Sequence, residues 1–538
     1  MKKRAAWHRA LLVMLCVVTL SPSVYLLLKR EFEYSCPKLE EMSCEDVAIT
    51  NVDWATMNGI FLPRQRKGKA ARFWKEWMTP LEKVTAVKNE VVGWFQKTPI
   101  TIGTRLQLFT DDELIDRING ATLTMHHPEP RELALEFDQP WEAGVSYYVT
   151  VWKENDTYRM FYRSSPDDDS EMTGYAESPD GIHWKRPSLG LYSFRGSSEN
   201  NIVWVGESES RESHNFSPFL DANPLVNSQE RYKAIGGMPP VAFSSYDGIH
   251  WKKMGPVALM KEEDMENLMT FDSQNIVFWD NLRKEYMAYF RVWIGGVRSI
   301  AHTSSKDFIT WEPSELIKIE NAPIEQLYTN NVIPYFRSPE IYFSFPMRYV
   351  QHREGASDTL FMTSRDGIHF RRPSLDAFIR PGRDMENWSD HSNGTSWGFV
   401  PTADDELSLY VVKHYTQNSS AHLRRFTIRT DGFTSMRAPY EGGEFVTKPL
   451  VFSGSQLVIN AATSAAGSVQ VEIQDIYGQP IQKYTLEDSQ PFYGDEIERV
   501  VTWRQRSELK SLEGMPVRLR FVLRDADLYS FRFAGSEF

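Results

Sequence analysis

The sequence predicts an all-β protein: a five-bladed β-propeller followed by a small antiparallel β-sandwich, with a short helical region near the N-terminus. Three observations carry this. A hairpin unit recurs at Ser178–Trp184, Ser245–Trp251, Ser305–Trp311, Ser364–Phe370 and, degraded, at Arg429–Phe433. Its aspartates, Asp180, Asp247, Asp307, Asp366 and Asp431, are 59 to 67 residues apart, and a fixed period marks a repeat architecture. Strand-like runs recur within each period, and beyond Pro439 the repeat gives way to short alternating segments.

The first copy reads Ser-Pro-Asp-Gly-Ile-His-Trp. Asp-Gly between apolar stretches is a strong hairpin signal, because both residues tolerate positive φ in a tight turn. Upstream lie paired runs such as Tyr147–Trp152 with Thr157–Tyr162, or Asn275–Trp279 with Glu285–Phe290. Four antiparallel strands per period, repeated radially, describe a propeller blade. The hairpin unit then falls between the two outer strands, far from the axis. Its aspartates are turn formers, its tryptophans pack between blades, and its histidines are not metal ligands.

The remaining segments follow in order. Residues 1–30 carry basic residues, then an apolar stretch broken by Ser21-Pro22-Ser23. This reads as a signal peptide or an uncleaved signal anchor, and places the chain outside the cytoplasm: periplasmic, at the cell surface or secreted, with possible membrane attachment. Residues 31–105 form a tether and a helical segment, in which Phe73, Trp77, Leu81, Val84, Val87, Val91 and Trp94 recur at helical spacing around Pro80. Cys36 and Cys44 are candidates for a disulfide in an oxidising compartment. The propeller is expected over 106–440. The sandwich is expected over 441–538, where Ser468–Gln474, Val517–Leu523 and Tyr529–Phe533 alternate.

Composition excludes some functions. The chain holds 60 basic against 72 acidic residues, a net charge of −12, which argues against nucleic acid as a partner. No Cys/His spacing resembles a zinc site, and no cofactor is expected. Aromatic residues at 13%, including 16 Trp, suit both β structure and sugar-stacking surfaces.

In a propeller the innermost strands converge on an axial funnel, so chemistry is sought just before the first strand of each blade. Those positions offer Glu142, His214-Asn215, Asp272, Glu325 with Tyr328, and Asp390. Glycosidic cleavage needs two carboxylates flanking the bond, one protonated and one acting as nucleophile or base. Glu142, Asp272 and Asp390 are therefore the candidate catalytic acids, although acids before strands also serve as caps and turn formers. Asn215, Arg337, Tyr328 and Arg291 are the candidate substrate-binding residues, with Arg291 and Arg348 placed to brace acids. Trp141 and Trp388 are candidates for sugar stacking or for the core.

The five-blade pattern with its Ser-x-Asp-Gly-Ile-His-Trp unit, followed by a sandwich, resembles the family-32 and family-43 glycoside hydrolase clan. The chain is more similar still to exported bacterial proteins described as family-32-like, through Leu108–Ile115, His214–Phe219, Phe271–Asn275 and Gly494–Arg499. The resemblance spans residues 105–533. It implies a five-bladed propeller with an axial acid triad of base or nucleophile, stabiliser and general acid. The sequence lacks the Trp-Met-Asn-Asp-Pro-Asn-Gly, Arg-Asp-Pro and Glu-Cys segments of family 32, and Arg337-Ser-Pro339 has serine where the stabilising acid would stand. No catalytic residue is carried over by motif.

Three functions are consistent with this reading. One is an exported glycoside hydrolase acting on an extracellular polysaccharide or oligosaccharide. The second is a non-catalytic carbohydrate-binding or surface-scaffold protein. The third is a phosphorolytic enzyme, which needs Arg and His at the funnel; Arg337, His302 and His414 are its candidates.

Overall fold

The computed structural model describes residues 99–166, 170–206, 211–265, 269–417 and 419–535. The expected export segment, the helical segment and the Cys36–Cys44 pair lie outside them. Five antiparallel sheets of similar build follow one another along the chain, as the repeat predicts. Blade one is Tyr147–Glu154, Thr157–Ser164, Met172–Ser178 and Ile202–Val205. Blade two is Ser217–Leu220, Tyr232–Gly236, Val241–Ser245 and Trp251–Pro256. Blade three is Ile276–Asp280, Glu285–Ile294, Val297–Ser305 and Glu315–Leu316. Blade four comprises Ile333–Tyr335, Ser338–Ser344, Met362–Ser364 and His369–Arg371, with Lys318–Glu320 added in parallel outside.

Blade five departs from the repeat. Val400–Pro401, Glu406–Lys413 and His422–Arg429 supply three strands, but the outermost strand is Glu129–Glu136, from before blade one. One sheet thus joins both ends of the propeller segment. The Asp431-Gly432 turn leads instead into Thr434–Ala438, which pairs with Thr122–Met125 and Pro516–Ala534 in the C-terminal sheet. That exit explains why the fifth hairpin unit is degraded: its aspartate is no longer a surface turn former. Asp431 is buried and accepts from Tyr335, Arg337 and Ser530, tying blade four to the C-terminal sheet.

The C-terminal region is a ten-stranded, mainly antiparallel assembly around its own core, with Ile100–Gly103 paired in parallel to Leu450–Phe452. Two long strands, Gln456–Gln474 and Pro516–Ala534, pair along their length and shift register between Thr463 and Ser468. The assembly also recruits Ile100–Gly103, expected as part of the tether and helical segment, and Gln107–Leu108, Ile115–Asn119 and Thr122–Met125, which the repeat-based boundary of 106 assigned to the propeller. Packing decides this. Phe109 is fully buried against Phe445, Phe531 and Phe521, with ring centroids 5.3, 5.8 and 6.5 Å away.

The repeated turn works as expected and does more. Asp366 Oδ1 accepts from the Ile368 and His369 backbone N–H groups at 2.9 and 2.7 Å, and Ser364 Oγ accepts from Gly367 N–H at 2.9 Å. The Asp180, Asp247 and Asp307 turns repeat this. Glycine supplies the positive φ in three of them; in the third unit Phe308 adopts φ 70° and buries its ring against Tyr286 and Phe219. Each turn also docks on the preceding blade. Tyr289 donates to Gly367 O at 2.9 Å, Arg159 to Asp247 O at 2.7 Å, and Tyr410 of blade five to Gly181 O of blade one.

Asp366→Ala removes the acceptor for two backbone N–H groups. It is expected to lower the unfolding free energy by about 1–2 kcal/mol, measured by urea denaturation at neutral pH. Burial pushes the Asp366 carboxyl up, but the His369 and Ile368 N–H groups and the His369 ring outweigh it and hold it at about 2, against an ordinary 3.8. A depressed folded-state value contributes stability above the ordinary value and loses it as pH falls toward 2. The gap between wild type and variant should therefore narrow below about pH 4.

Candidate functional site

Side chains from all five blades can meet only near the axis. They do so at the end where first strands begin, second strands finish and third strands start. Blade one supplies Tyr147, Tyr148, Arg163 and Glu171; blade two supplies His214. Blade three supplies Asp272, Arg291 and Arg298; blade four supplies Tyr328 and Tyr349; blade five supplies Asp390, His391 and Tyr415. The contacts form a continuous ring. Tyr147 lies 4.8 Å from Tyr148 and 5.4 Å from Tyr415, and Tyr148 lies 5.6 Å from His214 (ring centroids). His391 packs edge-on to Tyr328 at 4.2 Å, stacks on Tyr349 at 4.9 Å and lies 5.7 Å from Tyr415. Arg163 donates to the Tyr415 hydroxyl at 2.9 Å.

Asp272 is the electrostatic centre. Its Oδ1 is 2.8 Å from His214 Nε2 and its Oδ2 is 3.0 Å from Arg291. The other His214 nitrogen lies 2.7 Å from Glu171 Oε1, so the imidazole links two carboxylates. Arg163 and Arg211 each approach Glu171 at 3.8 Å. Burial pushes the Asp272 carboxyl up, but His214 and Arg291 outweigh it and hold it at about 2. Its side chain is 13% exposed, whereas that of Asp390 is 41% exposed. Asp390 Oδ2 lies 2.6 Å from His391 Nδ1. The Tyr349 hydroxyl is pushed up by burial and by the neighbouring Asp390 carboxylate.

Backbone strain concentrates here. Tyr148, Phe271, His391 and Asn393 all have positive φ, at 49, 72, 56 and 72°. Each left-handed non-glycine residue costs about 1–2 kcal/mol and persists only where its surroundings fix it; such residues cluster at functional sites. Phe271 shows how the fixing is done. Its carbonyl accepts from Asn215 at 2.8 Å and from Asn275 at 2.9 Å, which sets the position of Asp272 beside it.

Of the residues expected from sequence, the axial ring contains Asp272, Asp390, Tyr328 and Arg291. Three others stand apart from it. Glu142 is enclosed in blade one, bonded to Tyr162 at 2.5 Å and to Arg186 at 2.8 and 3.0 Å. Burial pushes its carboxyl up against the pull of Arg186 and Tyr162. Asn215 spends both ends of its amide on backbone, donating to Phe271 O and accepting from Gly237 N–H at 2.6 Å. It is fully buried, and its bond to the Phe271 carbonyl helps to set the position of Asp272. Arg337 lies in the turn that ends the first strand of blade four, the far end from the ring, and pairs with Asp431 at 3.0 Å.

The phosphate candidates do not converge either. His302 sits 3.3 Å from Glu315 on the outer strands of blade three, and His414 lies between Asp384 and Glu386 at 2.7 and 3.0 Å. Arg291 and Arg348 do brace acids, the latter holding Asp358 and Glu325. Trp141 bonds Asn201 inside blade one, and Trp388 is capped by Gly382 O. The ring residues not singled out from sequence, chiefly Tyr147, Tyr148, Arg163, Glu171, Tyr349 and Tyr415, come from strand starts or from second- and third-strand ends. A search confined to acids and cations ahead of first strands passes over them.

No family model matches the sequence, and no curated protein matches it. Solved structures do. The chain is similar to a glycoside hydrolase at 12% identity and TM-score 0.42, over 61% of this chain and 96% of that one. It is similar to an N-acetylgalactosamine deacetylase from F. plautii, solved with blood group B trisaccharide, at 13% and TM-score 0.40, over 57% and 95%. A glycosyl hydrolase from Bacteroides ovatus matches at 14% and TM-score 0.40, over 58% and 97%. These likenesses are of overall form and assign no residue a role.

Glu142→Gln leaves the Arg186 cation buried without its closest carboxylate. Breaking a buried pair from one side costs about 3–5 kcal/mol, so thermal unfolding of this variant should show a large loss of stability. An unchanged melting curve would place Glu142 somewhere other than inside the blade.

Proposed function

We propose that this chain is an exported glycoside hydrolase acting on an extracellular polysaccharide or oligosaccharide at the axial end of the propeller. The observation that carries the reading is the pairing of two unlike carboxylates, Asp272 and Asp390, in one ring of tyrosines. Two carboxylates flanking a glycosidic bond are the minimum for its cleavage, and tyrosine rings offer sugar-stacking faces. Asp272, kept ionised by His214 and Arg291, suits the base, nucleophile or charge-stabilising role. Asp390, half-exposed and beside His391 and Tyr349, is the candidate for proton donation to the leaving oxygen. The N-terminal segment supports export.

One observation favours the second reading, a non-catalytic carbohydrate-binding protein. Glu171 and Asp272 are both committed to ion pairs and both pushed below their ordinary range, although a general acid needs a carboxyl pushed up. The two readings separate on a polysaccharide panel: a hydrolase releases reducing sugar, whereas a binding protein retains glycans in a pull-down and releases nothing.

Asp272→Asn should cut the release of reducing sugar about a thousandfold, and Asp390→Asn, at a half-exposed position, should do so without loss of folding. Full activity in either variant removes that residue from the mechanism. With the Asp272 carboxyl at about 2, protonation of this group cannot produce a fall in kcat/KM on the acid side above about pH 4. An acid limb that lies higher and vanishes in Asp272→Asn would contradict the assigned state.

A further inference from the structure

We propose that the axial end selects an acidic sugar, and that Arg298 holds its anionic group, the carboxylate of a uronic acid or a sulfate ester. The inference rests on the reading of this end as a carbohydrate site.

Arg298 is the second residue of the third strand of blade three, just past the tip of a hairpin. Its guanidinium carbon lies 4.3 Å from the Trp293 ring centre, 4.7 Å from Tyr349 and 5.4 Å from Tyr328. Three rings therefore surround its faces. A guanidinium so held keeps only its edge for hydrogen bonds, and that edge matches a carboxylate or sulfate in bidentate fashion. One edge nitrogen donates to Gln326 Oε1 at 3.2 Å, and Nε has no partner.

The charges around it make this position unusual. Arg163 and Arg211 share Glu171, and Arg291 holds Asp272. Among the described residues no carboxylate lies within ion-pair distance of Arg298. Arg291 lies over the same tyrosine, its guanidinium carbon 4.7 Å from the ring centre. Burial and then Arg291 pull the Arg298 guanidinium below its ordinary range, while Asp272 acts on it in the opposite sense more weakly. Two cations share the Tyr328 ring and only Arg291 has a carboxylate within ion-pair distance, and a partly desolvated unpaired cation is costly. An anion on the ligand supplies the missing partner. Arg298 also borders a cavity of about 200 Å³ between blades three and four, lined by Ile317, Leu327, Leu360, Arg372 and Glu325; Glu325 is itself held by Arg348 and Arg372 and is not a partner of Arg298.

The test is isothermal titration of the full chain with matched pairs of oligosaccharides: trigalacturonate against its carboxyl-reduced form, and a sulfated oligosaccharide against its desulfated form. Wild type should bind the acidic member of at least one pair about tenfold more tightly, and the preference should shrink as salt is raised. The pair that shows it identifies the anion as carboxylate or sulfate. In Arg298→Gln the acidic-to-neutral ratio should fall to near one. Arg298→Lys, which keeps the charge but loses the planar fork, should retain an intermediate ratio. Wild type that binds neutral members as well as acidic ones overturns the inference and leaves the carbohydrate reading standing, as does an unchanged ratio in Arg298→Gln. Failure to bind any member of either pair overturns both. Should Arg298→Gln fail to fold, the wild-type ratio, its salt dependence and Arg298→Lys decide the matter.

Discussion

The constraint on which the rest depends is that each blade must be held against its neighbour. A four-stranded sheet alone leaves both faces wet, and a ring of five buries them only if the contacts close all the way round. The recurring Ser-x-Asp turn does this work twice. Inside the turn, one carboxylate oxygen satisfies two backbone N–H groups and leaves the turn carbonyls facing outward. Those carbonyls are then taken by the preceding blade: Tyr289 at Gly367, Arg159 at Asp247, Tyr410 at Gly181. The aromatic residue that ends the unit adds apolar contact across the same seam. Trp184 meets Tyr410, Trp251 meets Phe161 and Phe370 meets Tyr289. A motif far from the axis thus fixes the spacing of groups at the axis.

At the inner edge the problem is reversed. The first strand of each blade has no inner neighbour, so its backbone groups need other partners. Trp397 supplies some by a parallel bridge to Val149 and Val151. Buried amides supply others: Gln274 donates to Val149 O, Asn330 to Gln274 O, and Asn331 to Thr395 O. This belt of amides ties the strand starts of different blades together, and Asp272 and His391 sit on the same inner segments. Bulky residues tolerate left-handed backbone there because the belt fixes the chain on both sides.

The fold was legible because its cause is periodic: the Asp-Gly turn must recur wherever a blade ends. What broke the period was less visible. Nothing in Glu129–Glu136 announces a strand that completes blade five, because its partner, His422–Arg429, lies almost three hundred residues away. Leu106–Phe109 likewise looks like the start of a propeller until Phe109 is seen among Phe445, Phe521 and Phe531. At the site, position ahead of the first strand located Asp272 and Asp390 but also Glu142. The third slot differs because Arg186, just beyond the first hairpin unit, draws that carboxylate into the blade. Sequence order alone carries no sign of that pairing. Arg163, Glu171 and Tyr415 escaped for a related reason: they stand at second- and third-strand ends, where the repeat shows no common residue type.

The asymmetry between the two axial acids follows from the same packing. Asp272 is flanked by a histidine from blade two and an arginine from its own second strand, both fixed by neighbours, so its negative charge is compensated before any ligand arrives. A carboxylate so placed carries a charge held by fixed groups rather than screened by mobile water. Asp390 has no arginine within ion-pair distance among the described residues; its partner is the adjacent His391, itself packed among Tyr328, Tyr349 and Tyr415. The two acids thus differ in how much of their charge the fold itself compensates: Asp272 is matched by fixed cations, whereas Asp390 is matched by one imidazole and by solvent.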